Sequence, residues 1–576
     1  MSPDQAREWE SIAAAVLRKS RRMSDEQPDS DVWAKLTRRT LDGIEVTPLG
    51  TPAVHEHLVS SGRPTRAGDW DNRPYFANPD AAATAGEILT DLENGATSVW
   101  VEVGEFGIAI HDLATALDGV LLDVAPVTLD CGVDALAVAQ AFLAVAGDTT
   151  LAPGTNLGAD PVGSALRAGT EPSLEGLVEV ARLAADRGVF GVVVDGTAVH
   201  DLGASDVQEL GYVLALGTTY LRALVEAGFS VAEAAGLIEF RLAATDEQFP
   251  TIAKLRAVRR LWARVLQASG ADVGAGAMKL HAVTSRPMMT RYDPWVNMLR
   301  TCVAAFSAGV GGADAVTVLP FDAALGLPDA FARRIARNTS SLLISESHVA
   351  IVADPAGGSH VVEKLTDDTA QAGWRAFGEL ENAGGVLAGL PALRTQIDEV
   401  VKVREDQIAK RKRPITGLTE FPNIAETLPQ RAPYGGGGFR VRAYGHAFEA
   451  MRDEPASEPV FLATMGTIAA HTARATFAGN LFAAGGIETV NEGRHDDVEA
   501  VLSHYRGEAV VCLTGADPAY DEWGADLAAA LREAGAQHIV IAGQPRDFAD
   551  DNCAMGVDAL DFLTRTRERI NQKVEA

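Results

Sequence analysis

Residues 461–473 read FLATMGTIAAHTA, and this stretch decides the fold of the C-terminal part of the chain. An apolar run at 461–463 ends in a turn that contains Gly466, and a helical pattern follows. This strand, loop and helix order is typical of the start of a doubly wound α/β domain, in which ligands bind at the carboxyl edge of the sheet. The stretch therefore predicts such a domain.

The residues around this stretch alternate between short apolar runs and Ala-rich helical patterns. Glycines at 485–486, 507 and 535 stand where helices should end. The alternation predicts a flavodoxin-like order of strands over residues 456–576. The predicted strands are 460–463, 487–490, 509–513, 539–542 and a short fifth near 557–560, and the predicted helices begin near Ala470, Asp496, Tyr520 and Phe548.

The composition describes a large globular protein. Of the 576 residues, 47% are hydrophobic and 22% are charged, which is ample apolar material for more than one domain. The formal net charge of -28 argues against nucleic acid or an anionic membrane as a partner over the whole surface, because both would be repelled. We therefore expect neither among the partners.

The four cysteines lie far apart, and no two of them form a CxxC pair. This spacing indicates neither a zinc site nor a disulfide framework, and reduced thiols are the simpler interpretation. The N-terminus lacks a basic-then-apolar signal segment, and no window approaches the roughly eighteen continuous apolar residues of a membrane span. These features predict a cytoplasmic location.

Residues 1–40 are predicted to form an arm that precedes any domain core. Trp9, Ile12, Ala13, Val16 and Leu17 fall at helical spacing and would form one apolar stripe. A partner chain is one surface that would cover this stripe, and the alternative is an arm folded back on its own chain.

Residues 41–395 alternate strand and helix patterns, and about eight such units would close a TIM barrel with its chemistry on the loops after the strands. Residues 396–455 are predicted to be a linker. The glycines at 435–438 indicate a flexible interdomain turn, because no GxxxxGK[ST] pattern follows them. The clearest predicted barrel strands are 98–103, 119–124, 189–195, 237–244, 277–282, 315–319 and 349–353.

Several ordered stretches of the barrel region resemble the methylmalonyl-CoA mutase family. They are AKLRAVRRLW at 253–262, RIARNT at 334–339, Glu346-Ser347, Asp354-Pro355 and Gly358-Ser359. Together with their neighbours they cover most of residues 40–400. The resemblance implies a TIM barrel followed by a cobalamin-binding type of flavodoxin-like domain, and these stretches concern fold and pairing surface rather than chemistry.

The loop at 464–473 departs from that family at each position that carries chemistry. In catalytic chains of the family it reads Lys-Met-Gly-x-Asp-x-His-x-x-Gly, where the His ligates cobalt and the Asp orients it. Aligned on Met465-Gly466, the positions of the Lys, Asp, His and Gly hold Thr464, Ile468, Ala470 and Ala473. His471 lies one position late, so a solvated or capping histidine is favoured over a displaced ligand.

The barrel loops depart from the family in the same way. Where catalytic chains place a Tyr and a His that donates to the thioester carbonyl, this sequence has Thr197 and Ala198, and a methyl group cannot donate a hydrogen bond. Val283 stands for a substrate-facing Gln, and the neighbouring His281 is retained. His200 is expected to help cap the following helix.

A chain that keeps the family's barrel sequence patterns but lacks its catalytic side chains resembles the smaller subunit of the heterodimeric bacterial mutases. The resemblance implies that a catalytic large subunit binds adenosylcobalamin and interconverts (R)-methylmalonyl-CoA and succinyl-CoA. This chain would be the non-catalytic part of that isomerase, with no cofactor or metal of its own. Lys19 and Arg21 of the arm would then be candidates to meet CoA phosphates in the partner's site, and a solvated basic face is the alternative.

Two other functions stay open at this point. The first is an active cobalamin-dependent isomerase in which His471 serves as a displaced ligand. The second is a scaffold for a chaperone that loads cobalamin, and a G-protein chaperone of the complex is also a candidate partner of the subunit.

Overall fold

A computed structural model describes residues 3–51, 63–132, 134–271 and 278–574. The chain divides into two compact units. The barrel unit comprises Met1–Met288, Met298–Val400 and Arg431–Arg442, and the C-terminal unit comprises Met289–Asn297, Val401–Gln430 and Ala443–Ala576.

One parallel sheet organises the barrel unit. Among the described residues it has nine strands in the order β3-β11-β10-β9-β8-β7-β6-β5-β4, and a small antiparallel pair, β1 with β2, precedes it. The strands are β1 Arg38–Arg39, β2 Glu45–Val46, β3 Asp71–Asn72, β4 Tyr75–Phe76, β5 Val99–Glu102, β6 Val127–Asp130, β7 Asn156–Ala159, β8 Phe190–Asp195, β9 Ile238–Ala244, β10 Lys279–Thr284 and β11 Ala315–Thr317.

The two outer strands of this order are consecutive in the chain, and they close the sheet. β3 pairs with β11, and β4 pairs with β5. Between them, the Arg73 N–H donates to the Val316 carbonyl at 3.1 Å and the Pro74 carbonyl accepts from Trp100 N–H at 3.0 Å. One chain segment therefore bonds on both sides, and the sheet forms a barrel with eight strand positions, as predicted.

Helices surround the barrel strands. The α9 helix begins at a capping box, in which the Ser205 hydroxyl accepts from Gln208 N–H and the Gln208 side chain accepts from Ser205 N–H. The helices up to residue 409 are α1 Pro3–Lys19, α2 Val32–Leu36, α3 Ala81–Glu93, α4 Leu113–Ala116, α5 Ala135–Ala146, α6 Pro161–Ala168, α7 Leu177–Arg187, α8 Thr197–His200, α9 Asp206–Glu226, α10 Val231–Gly236, α11 Gln248–Ala268, α12 Asn297–Val310, α13 Ala330–Ser345, α14 His360–Asn382 and α15 Val386–Ala409.

Two predicted barrel strands are wrong. Residues 119–124 and 349–353 form turns and bends, and their apolar side chains Leu121, Val124 and Ile351 are exposed. A β-branched run becomes a strand only when a neighbouring strand accepts its hydrogen bonds, and the barrel positions are already filled by β6 and β7.

The arm covers part of its own apolar stripe. Ala14 and Leu17 of α1 are buried against Met23 and Val32. Ile12 and Val16, which belong to the same predicted stripe, are each 62% exposed. The stripe is therefore split between a face packed on the arm's own residues and a face open to solvent.

The C-terminal unit holds a five-stranded parallel sheet in the order β13-β12-β14-β15-β16, which confirms the flavodoxin-like order. Apolar residues of β12, β14 and β15 are buried on both faces of this sheet. Its elements are α16 His446–Asp453, β12 Val460–Thr464, α17 Ile468–Ala484, β13 Thr489–Val490, α18 Val498–His504, β14 Val510–Thr514, α19 Asp517–Ala519, a π-helical turn Tyr520–Gly524, α20 Ala525–Glu533, β15 His538–Ala542, β16 Asp551–Cys553 and α21 Ala559–Val574.

The end of this unit differs from its prediction. The fifth strand lies at Asp551–Cys553, before the predicted position near 557–560, and the helix expected near Phe548 is a turn. The Asp558 carboxylate accepts from Asp561 N–H at 3.0 Å, which starts α21 where a strand was expected. A helix-capping signal therefore outweighs the short apolar run.

Among the described residues, no helix combines the length and the hydropathy that a membrane span needs.

Candidate functional site

The carboxyl ends of the barrel strands, called the mouth below, are joined by a buried ion-pair network. Arg241 on β9 places one guanidinium nitrogen 2.9 Å from Asp130 Oδ2 and 3.1 Å from Asp195 Oδ2. These carboxylates end β6 and β8. The guanidinium also lies 4.0 Å from the ring centroid of Trp100. The centre of the mouth is thus filled by charge-paired side chains rather than by space for a ligand.

Thr197 is held in this network. Arg167 of α6 donates to Asp195 Oδ2 at 2.8 Å and to the Thr197 hydroxyl at 2.5 Å, and Thr197 N–H donates to Asp195 Oδ1 at 2.8 Å. Burial alone would raise the pKa of Asp195, but the adjacent guanidinium groups of Arg167 and Arg241 leave that pKa below its ordinary value. The Thr197 side chain is therefore engaged in a structural network.

The two other substituted barrel positions present only hydrocarbon. Ala198 is buried in α8, and Val283 is buried on β10 beside Trp100 and Leu319. Neither side chain can polarise a thioester carbonyl, because neither has a hydrogen-bond donor.

The two histidines of the mouth are packed core groups. His281 Nε2 lies 2.7 Å from the Thr317 hydroxyl, and its Nδ1 accepts from Arg241 at 3.3 Å. Burial and the neighbouring arginines lower the pKa of His281 well below its ordinary value, so the ring is neutral. His200 bonds to Ser285 Oγ at 2.7 Å, and Ser205 caps α9, so the expected capping role of His200 is wrong.

Tyr75 and Glu102 form a further buried pair. The Tyr75 hydroxyl donates to Glu102 Oε2 at 2.9 Å, and the Tyr75 ring lies 4.4 Å from that of Trp100. Burial raises the pKa of Glu102 well above its ordinary value, and the nearby Asp130 carboxylate adds to the rise. Desolvation likewise raises the pKa of the Tyr75 hydroxyl. The pair is a satisfied hydrogen bond within the packed mouth.

The mouth has little free volume next to Tyr75. A cavity of about 20 Å³ lies there, and an ordered water needs roughly 10–15 Å³ by this measure. The cavity therefore holds about one water. Its lining residues include Tyr75, Phe76, Glu87, Leu319, Arg333 and Tyr434.

In the C-terminal unit, the loop after β12 is tied down by its own neighbours. The buried Thr464 hydroxyl contacts the Gly493 carbonyl and lies 2.8 Å from His495 Nδ1. Gly466 N–H donates to the His495 carbonyl at 2.8 Å. Thr464, which takes the place of the family's Lys, thus secures the loop to residues 493–495.

The positions that the resemblance aligns with the family's cobalt-binding loop differ in their exposure. Ile468 is 68% exposed, Ala473 is exposed, and Ala470 is partly buried. His471 is only 5% exposed, and its Nδ1 lies 3.3 Å from the Gly466 carbonyl. Of the two expectations for His471, the solvated histidine is wrong, because the imidazole is buried against its own loop, and the capping histidine stays a prediction.

Side chains fill the sheet edge between β14 and β15. The Tyr520 hydroxyl accepts from Gly515 N–H at 2.9 Å and lies 3.0 Å and 2.9 Å from the carbonyls of Leu513 and Ala542. Arg474 donates to the Gly515 carbonyl at 2.6 Å, with its guanidinium carbon 5.1 Å from the Tyr520 ring centroid. Sequence reasoning placed Tyr520 only at a helix start, because its contact with Ala542 depends on the pairing of β14 with β15.

Neither metal ligands nor the arm candidates assemble into a site. Within the described ranges there is no group of three or more His, Cys, Asp or Glu side chains that could hold a metal. Lys19 and Arg21 are exposed at the end of α1, and their expected contact with CoA in a partner stays a prediction.

Comparisons with known proteins agree with the resemblance. The family model described as methylmalonyl-CoA mutase matches residues 90–434. A protein of Streptomyces virginiae, named methylmalonyl-CoA mutase small subunit, is 44% identical over 99% of this chain and 97% of its own length. The protein of the same name from Propionibacterium freudenreichii subsp. shermanii is 36% identical over 97% of this chain and 94% of its own length. A Rhizobium meliloti protein named methylmalonyl-CoA mutase is 29% identical over 73% of this chain and 64% of its own length.

Proposed function

The chain belongs to the methylmalonyl-CoA mutase family, and we propose that it is a non-catalytic small subunit that pairs with a catalytic large subunit and stabilises it. The partner would bind adenosylcobalamin and interconvert (R)-methylmalonyl-CoA and succinyl-CoA. This chain would hold neither cofactor nor substrate and would act in the cytoplasm.

The observation that carries the proposal is the filled mouth of the barrel. The network of Arg167, Asp195 and Arg241 occupies the strand ends where a barrel enzyme holds its substrate. Replacing one member by a ligand group would leave the other charges buried and unpaired, which costs several kcal/mol. Ala198 and Val283 lie beside this network, and neither side chain supplies a donor for a developing oxyanion.

The C-terminal unit does not fit the corrin that the family implies. A cobalt ligand would need an imidazole held by a carboxylate, and the aligned positions Ala470 and Ile468 supply neither. Tyr520 and Arg474 take up the sheet edge where a ligand of such a domain would enter. The proposed function therefore includes no reaction at a cofactor bound to this chain.

The two competing functions have weaker support. An active isomerase would need His471 to turn away from the Gly466 carbonyl and to acquire an orienting carboxylate. A free-standing scaffold for a cobalamin-loading chaperone has no specific feature of the described residues in its favour. A G-protein chaperone of the complex is compatible with the subunit proposal.

The proposal is tested by purifying the chain alone and together with a large subunit of a related enzyme. Alone, we expect a colourless protein that does not convert methylmalonyl-CoA, and together we expect a one-to-one complex with activity. Turnover by the isolated chain would contradict the proposal in favour of the isomerase. A stable complex with a chaperone but none with the large subunit would favour the scaffold.

A further inference from the structure

Residues 431–442 return to the barrel unit after the chain has left it at Val400. At the start of this segment the Arg431 guanidinium pairs with the carboxylates of Asp322 and Asp329, the second at 2.7 Å. The next carbonyl, of Ala432, accepts from Leu327 N–H at 2.7 Å. One end of the segment is thus fixed to the loop that follows β11.

The glycines in the middle of the segment lie directly on the loop after β5. A Cβ atom on Gly435 would be 3.0 Å from the Phe106 backbone, and one on Gly436 would be 2.9 Å from the Phe106 ring. Gly436 also has a φ of +55°, which favours glycine. The run was predicted to be a flexible interdomain turn, and that prediction is wrong because the backbone needs glycine to approach this closely.

Phe439 enters the mouth beyond these glycines. The guanidinium carbons of Arg167 and Arg286 lie 4.8 Å and 4.6 Å from its ring centroid. The rings of Tyr75 and Phe106 lie 6.4 Å and 5.7 Å from it. An aromatic ring among cations and other rings is held by cation–π and edge contacts, so Phe439 acts as a side chain packed into a preformed place.

The far end of the segment is fixed as well. Arg442 N–H donates to the Asp201 carbonyl at 2.8 Å, and its guanidinium lies 2.6 Å from Asp398. The Asp201 carboxylate also forms an ion pair with the Arg286 guanidinium at 3.2 Å. Asp201 therefore contacts both Arg442 at the end of the segment and Arg286, which contacts the Phe439 ring.

We propose that residues 431–442 form a strap that seals the mouth of the barrel, with Phe439 as its plug. The strap is anchored at both ends and crosses directly over the ion-pair network. Beneath it, one guanidinium nitrogen each of Arg167, Arg241 and Arg286 is buried without a hydrogen-bond partner in the described part of the chain.

On this proposal, residues 431–442 close the mouth, and the barrel strands themselves do not. It concerns solvent access to this chain's own barrel and does not depend on pairing with a large subunit. Its failure would therefore leave the proposed function untouched.

The experiment uses a thiol reporter in the full chain. The substitution Thr197→Cys places a thiol next to Arg167, whose guanidinium group also contacts the Phe439 ring, and the exposed Cys302 serves as an internal reference. Labelling by iodoacetamide is followed for each cysteine by peptide mass spectrometry. With the strap intact we expect the reporter to react far more slowly than Cys302, because a buried thiol reacts only when the site opens.

Two strap variants are then compared in the reporter background. Phe439→Ala removes the plug, and Gly436→Val pushes the strap off Phe106 while keeping the plug. Each should raise the labelling rate of the reporter, relative to Cys302, by about tenfold or more.

The matched control is Phe142→Ala, which truncates a buried phenylalanine of α5 outside the strap and should leave the relative rate nearly unchanged. Unchanged labelling in both strap variants would overturn the proposal. An equal rise in the control would overturn it too, because general loosening would then explain the result. The reporter Ala198→Cys repeats the test if Thr197→Cys disturbs the network.

Discussion

At the scale of single residues, the buried carboxyl group of Asp160 shows how the barrel constrains ionisation. Its Oδ1 accepts from the Tyr220 hydroxyl at 2.6 Å and from Gly163 N–H at 3.1 Å. Burial raises the pKa of Asp160 to about 7, and the nearby Asp195 carboxylate adds to the rise. The group is therefore largely protonated in the folded protein under conditions where it is ionised in the unfolded chain.

This raised pKa predicts a specific pH dependence of stability. Between pH of about 4 and 7 the folded chain keeps a proton that the unfolded chain has released, so the free energy of unfolding falls as pH rises. Asp160→Asn keeps an acceptor oxygen and removes the titration. Relative to the unmodified protein, urea unfolding of the variant should lose less stability between pH 4 and 8, by on the order of 2–4 kcal/mol.

The control for this change is Asp148→Asn, which alters an exposed carboxylate after α5 and should leave the pH dependence as it was. Parallel stability curves for the unmodified protein and Asp160→Asn would show that Asp160 does not titrate in this window.

The substituted residues of the site were predictable from the sequence, and their surroundings were not. Thr197, Ala198 and Val283 stand out because the flanking pattern of the family is retained around them. The partners Arg167 and Arg241 carry no local signal, because their ion pairs join residues from separate strands and helices. Sequence reasoning found the missing donors and missed the network that replaced them.

At the scale of elements, strands with a clear local sequence pattern were predicted, and strands that depend on pairing with their neighbours were not. β8 and β9 are long strands rich in apolar residues, and they were predicted nearly to their ends. β7 is a short segment, Asn156–Ala159, with a register irregularity and Gly158 inside it, so its apolar pattern is weak. Pairing with β6 and β8, rather than its own composition, makes it a strand.

The helix α17 and the loop before it predict the outcome of restoring the family's ligands. The double change Ile468→Asp and Ala470→His should not give tight cobalamin binding, because Tyr520 and Arg474 still fill the sheet edge. Equilibrium dialysis with cobalamin, read from the visible spectrum, measures this directly.

A comparison of the double change with and without Tyr520→Ala tests that prediction further. Adding Tyr520→Ala to the double change removes one filling side chain and should raise binding above that of the double change alone. Micromolar or tighter binding by the double change without it would contradict the view that the edge is closed.

The arm gives a prediction for the assembled enzyme. If Lys19 and Arg21 meet CoA phosphates in the partner, then Lys19→Ala with Arg21→Ala should raise the KM for methylmalonyl-CoA about thirtyfold and leave kcat nearly unchanged, since two charge-assisted contacts of roughly 1 kcal/mol each are lost. Arg7→Ala, another exposed cation on α1, is the control. An unchanged KM would assign Lys19 and Arg21 to a solvated basic face.

At the scale of the whole molecule, the chain combines two intact α/β frameworks with sites that are filled from within. The barrel closes through β3 and β4, and the five-stranded sheet keeps its flavodoxin-like order. Both frameworks have large buried cores. We expect such a chain to contribute an interface and stability to a partner.

The most direct test of this account counts corrins in the purified complex with the large subunit. Cobalt, measured by atomic absorption, is divided by the amount of one-to-one complex after saturation with adenosylcobalamin. The account predicts one cobalt for each pair of chains. Two cobalts for each pair would show that the C-terminal unit of this chain holds a corrin and would contradict the account.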